Sequence, residues 1–229
     1  MRLLCLSDIH GHADALRAVL ATAERYGYDR VLVAGDLCFP GPEPMETWRR
    51  LAQLKAVCVQ GVGDRALATV DTSNLHPRDE YERQRLQRLE GVRGALGETV
   101  LGRIAKLPLQ QRIALPGGRH LALVHGCPLD PTEPMTQDMD DATLAMLLGE
   151  ETADIVLCGA SHVPFDRTII REKSDGTRFI TRIINVGSVG EAPTSETSLP
   201  SRFAHATFVV TRESGIDVDQ FSVPLGCAA

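Results

Sequence analysis

The sequence has few aromatic residues, and it lacks the long apolar runs and paired cysteine motifs that mark several protein classes. Aromatic residues make up 4% of the 229 positions, so a core must be built mainly from Leu, Val, Ile and Ala. No apolar segment approaches the roughly 20 residues that a membrane-spanning helix needs. The six cysteines show no CxxC spacing. We therefore expect buried thiols in a reducing compartment, not a disulfide framework or a zinc ribbon.

The charge balance argues against a dedicated binder of nucleic acid or of anionic membranes. The chain carries 24 Lys and Arg against 30 Asp and Glu, a formal net charge of −6. The basic excess that such partners require is therefore missing. The opening segment "MRLLCLSDIHG" lacks the apolar core and cleavage site of a signal peptide. We expect a cytoplasmic protein with one domain over residues 1–229, and its oligomeric state stays open.

Short apolar runs alternate with amphipathic stretches in the first two thirds of the chain, which is typical of an α/β fold. The pattern predicts strands over 2–7, 30–35, 56–61 and 154–158, and helices over 13–27, 45–54, 79–106 and 140–149. The helix over 79–106 is expected to break around Gly91, Gly94 and Gly97. A hairpin of "QRIAL" and "HLALVHG" is predicted around Pro116, Gly117 and Gly118, and its second strand leads to His125. After Pro164 only strand-like segments follow, which predicts a β-meander.

Aspartate or histidine follows four of the five predicted strand ends in the α/β half. These residues are Asp8 and His10, then Asp36, then His125, and finally His162. In open α/β sheets, ligands bind beyond the carboxyl ends of the strands. Residues 8 and 10 would point to the same side if the backbone is extended. A mixed set of imidazoles and carboxylates suits Zn²⁺, Mn²⁺ or Fe better than Mg²⁺ or Ca²⁺, so we predict a transition-metal site.

Each of these residues has a simpler explanation when it is taken alone. An aspartate after a strand is commonly a turn former or a helix cap, and a buried histidine is commonly a hydrogen-bonded core residue. His12, at the start of a helix, is either a general acid or phosphate ligand, or an exposed neighbour of the cap. Asp64 is either a substitute carboxylate near the substrate or the cap of a helix that begins near Arg65. The ordered set of strand-end residues nevertheless favours the metal site.

The ordered motifs D-x-H, G-D, V-H-G and G-x-x-H at these strand ends resemble the calcineurin-like metallophosphoesterase superfamily. The segments "LSDIHGH" and "INVGSVG" are most similar to its small prokaryotic phosphodiesterase branch. This resemblance implies a four-layer αββα sandwich of two mixed β-sheets flanked by helices, with a dinuclear metal centre. It also implies that Asp8, His10, Asp36 and His162 hold the first ion. Asp36 would bridge to a second ion, which His125 also binds.

Three positions depart from the motifs of that superfamily. Ala160 stands where a histidine ligand is expected, and Val62 stands where an asparagine ligand is expected. Gly63 occupies the position that carries an acid histidine in many relatives. The first site is therefore complete, whereas the second keeps two of its four protein ligands.

The resemblance implies a metal-dependent phosphoesterase that acts on phosphodiesters or small phosphorylated metabolites through a metal-activated water. Asp36, His125 and His12 are the expected catalytic residues, and His12 and Asp64 the expected substrate contacts. We expect one tightly bound Mn, Fe or Zn ion and a second ion that is weakly held or missing. The alternative is a catalytically weak or inactive scaffold, or a phosphate or nucleotide sensor. The complete first site favours the enzyme.

Overall fold

The computed structural model describes residues 1–172, 176–193 and 203–226, and these contain ten strands and five helices. The strands are β1 (Arg2–Leu6), β2 (Arg30–Val33), β3 (Val57–Cys58), β4 (Gln110–Ala114), β5 (His120–Val124), β6 (Ile155–Cys158), β7 (Phe165–Glu172), β8 (Arg178–Asn185), β9 (Phe203–Arg212) and β10 (Gly215–Pro224). The helices are α1 (Ala13–Glu24), α2 (Pro44–Gln53), α3 (Val62–Thr69), α4 (Glu80–Ile104) and α5 (Asp141–Leu148).

The strands form two mixed sheets of five strands each. The first has the order β10-β9-β1-β2-β3, in which β1, β2 and β3 are parallel and β9 and β10 run antiparallel. The second has the order β4-β5-β6-β8-β7, in which β5, β6 and β8 are parallel and the two edge strands are antiparallel. Each sheet thus has a parallel centre, whose carboxyl ends can present ligand-binding loops.

Alternating side chains of the central strands bury both faces of each sheet. In β1, Leu3 and Cys5 pack in a core with residues of the second sheet, such as Leu123. Leu4 and Leu6 instead pack in a separate core with side chains from α1 to α4. A third core joins the other face of the second sheet to α5. Successive strand residues point to opposite faces, so these cores establish the predicted αββα order of layers.

The final third of the chain does not form the predicted β-meander. Strands β7 and β8 belong to the second sheet, whereas β9 and β10 form a hairpin at the edge of the first. The meander was wrong because periodicity identifies a strand but does not specify which sheet it joins. The hairpin of β4 and β5 is confirmed.

Two helices also differ from the expectation. Helix α4 is interrupted only at Gly97, which has φ of 70°, although breaks were expected around three glycines. The predicted strand over 56–61 shrinks to the two residues of β3, and helix α3 begins at Val62. No helix in the described part of the chain is both long and apolar enough to cross a membrane.

Candidate metal centre

The strand-end residues meet where the carboxyl ends of the two sheets come together. Asp8 and His10 follow β1, Asp36 follows β2, His125 follows β5, and His162 follows β6. Because β1 neighbours β2 and β5 neighbours β6, two loops of each sheet converge on one place. Asp8 is 0% exposed and His125 is 1% exposed, so the ligand groups lie largely out of solvent.

These five residues form two overlapping groups whose ligand atoms lie within 4.8 Å of one another. One group contains Asp8, His10 and His162, and the other contains Asp8, Asp36 and His125. Asp8 is therefore the carboxylate that the two groups share. The resemblance implied that Asp36 bridges two ions, and this stays a prediction. One oxygen of Asp36 accepts a 2.7 Å hydrogen bond from the Gly63 amide, and the other lies 3.6 Å from His125 Nε2.

Most of these residues adopt the left-handed backbone conformation. The φ angles are 52° at Asp8, 50° at His10, 52° at Asp36 and 61° at His162, and Ala160 beside them has 62°. The expectation that residues 8 and 10 align through extended backbone was wrong. Their amides instead donate to the carbonyls of Gly35 and Asp36 in the neighbouring loop. Such conformations cost about 1 kcal/mol or more each, and they cluster at functional sites.

Each histidine of the centre is held by a main-chain carbonyl. The Nδ1 atom of His10 lies 2.6 Å from the Phe39 oxygen, and that of His125 lies 2.7 Å from the Ala34 oxygen. The Nδ1 atom of His162 lies 3.1 Å from the Glu191 oxygen. A carbonyl can only accept, so Nδ1 carries the proton in all three rings. In the neutral ring, Nε2 then keeps its lone pair, which is the arrangement typical of metal-binding histidines.

In the described part of the chain, no hydrogen-bond donor lies between the converging acceptor atoms. The Nε2 atoms of His10 and His162 are 3.2 Å apart, and Asp8 Oδ1 lies 3.2 Å from the Nε2 atom of His162. Asp8 Oδ1 is buried and has no hydrogen-bond partner among the described residues, while its Oδ2 atom accepts from the Ala160 amide at 3.0 Å. A buried acceptor without a donor is costly. A divalent cation satisfies such a set of lone pairs, so these residues fit the metal that the sequence predicted.

The titrations of Asp8, His125 and His162 reflect the same crowding. Burial would raise the pKa of Asp8, but contact with His162 and the fields of His125 and His10 lower it below its ordinary value. Burial would lower the pKa of His125, yet Asp36 and Asp8 raise it. The pKa of His162 is likewise raised, against the effect of burial, by its contact with Asp8. The centre thus attracts positive charge, whether protons or a metal ion supply it.

Asp64 lies below the centre and does not reach the cleft. It is fully buried, and its oxygens accept hydrogen bonds of 3.0 Å from the amides of Leu37 and Gly61. Burial, together with the nearby Asp36, raises the pKa of Asp64 to about 6. This geometry matches the helix cap, although the helix begins at Val62 and not near Arg65. This geometry does not support a direct contact between Asp64 and a substrate, because both carboxylate oxygens already accept hydrogen bonds from amides.

None of the three departures from the superfamily motifs supplies a side-chain ligand atom. Val62 is the first residue of α3 and is 46% exposed. Ala160 approaches the centre through its amide, which donates to Asp8. Gly63 contributes its amide to Asp36 in the same way. At residues 160 and 63 the main chain thus supports a carboxylate.

A cleft of about 450 Å³ adjoins the centre, between the loop after β2 and helix α4. His12, Arg88 and Glu191 supply its titratable side chains, and the remaining lining residues are Pro40, Gly41, Pro42, Pro44, Gly91, Val92 and Ala95. The charged helix predicted over 79–106 therefore forms one wall of this cleft. Sequence reasoning missed Arg88 and Glu191. Neither lies in a chemical motif, and only the path of the chain brings them beside His12.

Comparison with known proteins agrees with this geometry. A model of the calcineurin-like phosphoesterase superfamily domain matches residues 1–208. The chain belongs to this superfamily. Members of the calcineurin-like phosphoesterase superfamily depend on divalent metals, and the groups around Asp8 are candidates to bind them. None of the curated proteins searched matches the chain.

Solved structures of similar fold agree with the two-sheet architecture. A hypothetical protein from Pyrococcus horikoshii OT3 is 19% identical, with a TM-score of 0.75 over 99% of this chain and 89% of its own. A metallophosphoesterase from Sphaerobacter thermophilus is 22% identical, with a TM-score of 0.70 over 97% of this chain and 88% of its own. At this level of identity the likeness to these two structures concerns the fold alone.

Proposed function

We propose that the chain is a cytoplasmic metal-dependent hydrolase of phosphodiesters or of small phosphorylated metabolites. The observation that carries the proposal is the convergence of buried lone pairs. Asp8 Oδ1 and the Nε2 atoms of His10 and His162 face one another, and the described residues place no donor among them. Membership of the superfamily supports phosphoester chemistry at such a centre. Mn, Fe or Zn suits this donor set of nitrogen and oxygen.

The chain's own residues hold and orient this centre. Asp8, His10 and His162 would hold the first ion, and Asp36 and His125 would contribute to a second one beside it. A divalent ion bound there would lower the pKa of a water molecule and polarise a phosphoryl oxygen. The carbonyl partners of Nδ1 keep each ring in the tautomer that coordinates. Asp64 acts indirectly, since it fixes the amide of Leu37 next to Asp36.

The second ion is expected to be held more weakly than the first. Its group shares Asp8 with the first group and otherwise has Asp36 and His125. Val62 and Ala160 provide no side-chain ligand in addition. With one oxygen of Asp36 already bonded to the Gly63 amide, few free lone pairs remain for this ion. We therefore propose one tightly bound ion and a second that is easily lost.

The cleft beside the centre suits a phosphorylated small molecule. His12 is partly exposed at the N-terminus of α1, where the helix dipole and free amides favour an anion. Arg88, on α4, adds a positive charge from the opposite wall. The prolines and the small residues of α4 leave room for an organic group. We assign His12 to phosphate binding and to protonation of the leaving group.

The test is hydrolysis of bis(p-nitrophenyl) phosphate after metal removal and after addition of Mn²⁺. We expect turnover with Mn²⁺, none in EDTA, and background rates for Asp36→Asn. Asparagine can still accept the amide hydrogen bond from Gly63, so this variant should fold. Asp219→Asn, which changes an exposed carboxylate on β10, is the matched control and should keep full activity. Metal binding without turnover of this and other phosphoesters would reject the proposed hydrolase activity. It would favour the alternative of a phosphate or nucleotide sensor or of an inactive scaffold.

A further inference from the structure

Glu191 is a titratable residue of the cleft for which the superfamily motifs give no role. The loop after β8 carries it across the centre. Its amide donates to the Ser188 hydroxyl at 2.7 Å, and that hydroxyl donates to the Asp8 carbonyl at 2.8 Å. The carbonyl of Glu191 accepts from His162 Nδ1. The backbone of Glu191 is therefore fixed against two residues of the first metal group.

The carboxylate of Glu191 faces the coordinating atom of the third residue in that group. Its Oε2 atom lies 3.7 Å from the Nε2 atom of His10. Because the Nδ1 proton of His10 is engaged by the Phe39 carbonyl, the neutral ring offers Glu191 a lone pair and no proton. Asp8 Oδ1 lies at the same distance, 3.7 Å, from this nitrogen. Asp8 Oδ1 and Glu191 Oε2 thus both approach the lone pair of His10 Nε2, and all three atoms are hydrogen-bond acceptors. A cation shared among them would stabilise this arrangement.

The distances from His10 Nε2 suit one ion. Protein nitrogen and oxygen ligands lie about 2.0 to 2.2 Å from a zinc-sized ion, so two ligands of one ion are at most roughly 4.4 Å apart. The separations from His10 Nε2 to Asp8, His162 and Glu191 are 3.7, 3.2 and 3.7 Å, which fall within that limit. Glu191 lies outside the group that Asp8, His10 and His162 form, so its side chain, which is 39% exposed against 24% for His162, has to turn toward Asp8 and His162 when the ion binds.

We propose that Glu191 is a fourth protein ligand of the first ion, together with Asp8, His10 and His162. Two carboxylates and two imidazoles then surround this ion, and the two negative charges balance its charge. Glu191 also borders the cleft that we assign to substrate. This inference rests on the metal centre of the proposed function, but not on turnover.

The test is Co²⁺ binding to the metal-free protein, followed by titration and by the visible absorption of the bound ion. Glu191→Gln should bind the first Co²⁺ at least about tenfold more weakly. Its absorption spectrum should also change, because an oxygen ligand is lost or weakened. Glu98→Gln, which removes an exposed carboxylate from α4, is the matched control and should leave affinity and spectrum unchanged. Glu191→His offers a different ligand atom, and it should recover affinity with a spectrum of its own.

Three results would overturn the assignment. Unchanged affinity and spectrum in Glu191→Gln would mean that Glu191 does not coordinate. Weaker binding with an unchanged spectrum would mean that its charge acts through space. Failure of the unaltered protein to bind any Co²⁺ would reject the metal centre itself, and the proposed function with it. Circular dichroism of the metal-free variants separates these results from misfolding, and Glu191→His supplies an independent variant if Glu191→Gln is unstable.

Discussion

The Nε2 atoms of His10 and His162 lie 3.2 Å apart, although the Nδ1 atom of each ring is already bonded to a carbonyl oxygen. Two neutral imidazoles in this arrangement direct lone pairs at each other and at the carboxylate of Asp8. Added positive charge relieves that repulsion, either as a proton on one ring or as a metal ion among all three. The protein maintains this arrangement with left-handed backbone at all three residues.

Asp8 is expected to control metal retention because both groups share it. Asp8→Asn should lose bound metal, while the metal-free variant unfolds at the same temperature as its parent or at a higher one. The reason is that the side-chain amide introduced by this substitution can donate a hydrogen bond to the Nε2 lone pair of His10 or His162. Elemental analysis of protein purified without chelator measures the metal, and we expect about one retained ion per unaltered chain. Two equally retained ions would contradict the expectation that the second ion is bound more weakly. An Asp8→Asn variant that keeps its metal would show that Asp8 does not control metal retention.

Gly159 is expected to be required for the position of Asp8. A methyl group at residue 159 would overlap the Ser7 hydroxyl and the Asp8 carboxylate. Gly159→Ala should therefore weaken Mn²⁺ binding at least about tenfold and cost about 1 to 3 kcal/mol of folding free energy. Gly102→Ala is the control, since the same methyl group on α4 meets open space and should stabilise by about 0.5 to 1 kcal/mol. Denaturant unfolding and Mn²⁺ titration distinguish the two, and equal behaviour would contradict the prediction.

The sequence predicted the layers and the ligands better than it predicted their geometry. Apolar runs followed by Asp8, Asp36 or His125 mark parallel strand ends, and those ends must meet at one edge of a sheet. The left-handed φ angles depend on hydrogen bonds between loops that are distant in sequence, so periodicity does not contain them. Glu191 was missed for the same reason. Its place beside His10 depends on the path of the loop after β8, and no local spacing encodes that path.

His205 is expected to make the protein less stable in mild acid. Burial lowers the pKa of His205 below its ordinary value of 6.5. The unfolded chain then binds more protons than the folded one between the two pKa values, so stability falls as pH drops through 6.5 toward the lower value. His205→Asn should lose less free energy of unfolding between pH 8 and pH 5 than the unaltered protein. Denaturant unfolding at both pH values measures this, with the exposed His76→Asn as control. Equal losses in all three proteins would refute it.

Val62 and Ala160 are expected to limit the second ion. If the second group merely lacks ligands, Val62→Asn together with Ala160→His should place two new ones near Asp36 and His125. Histidine tolerates the left-handed backbone of residue 160 better than most side chains do, and residue 62 is exposed, so both changes suit the local structure.

The double variant should bind a second Mn²⁺ and hydrolyse phosphodiesters faster at limiting Mn²⁺. The single variants should gain little, since one added ligand still leaves the ion loosely held, and the gain of the pair should exceed the sum of the singles. Isothermal titration with Mn²⁺ and initial rates give both quantities. Lost stability without a second ion would show that neighbouring side chains fill the space that the imidazole introduced by Ala160→His needs. A well-folded double variant that neither binds a second ion nor hydrolyses phosphodiesters faster would contradict the prediction. The absence of ligands at residues 62 and 160 would then not be what limits binding of the second ion, and the centre would work with one ion.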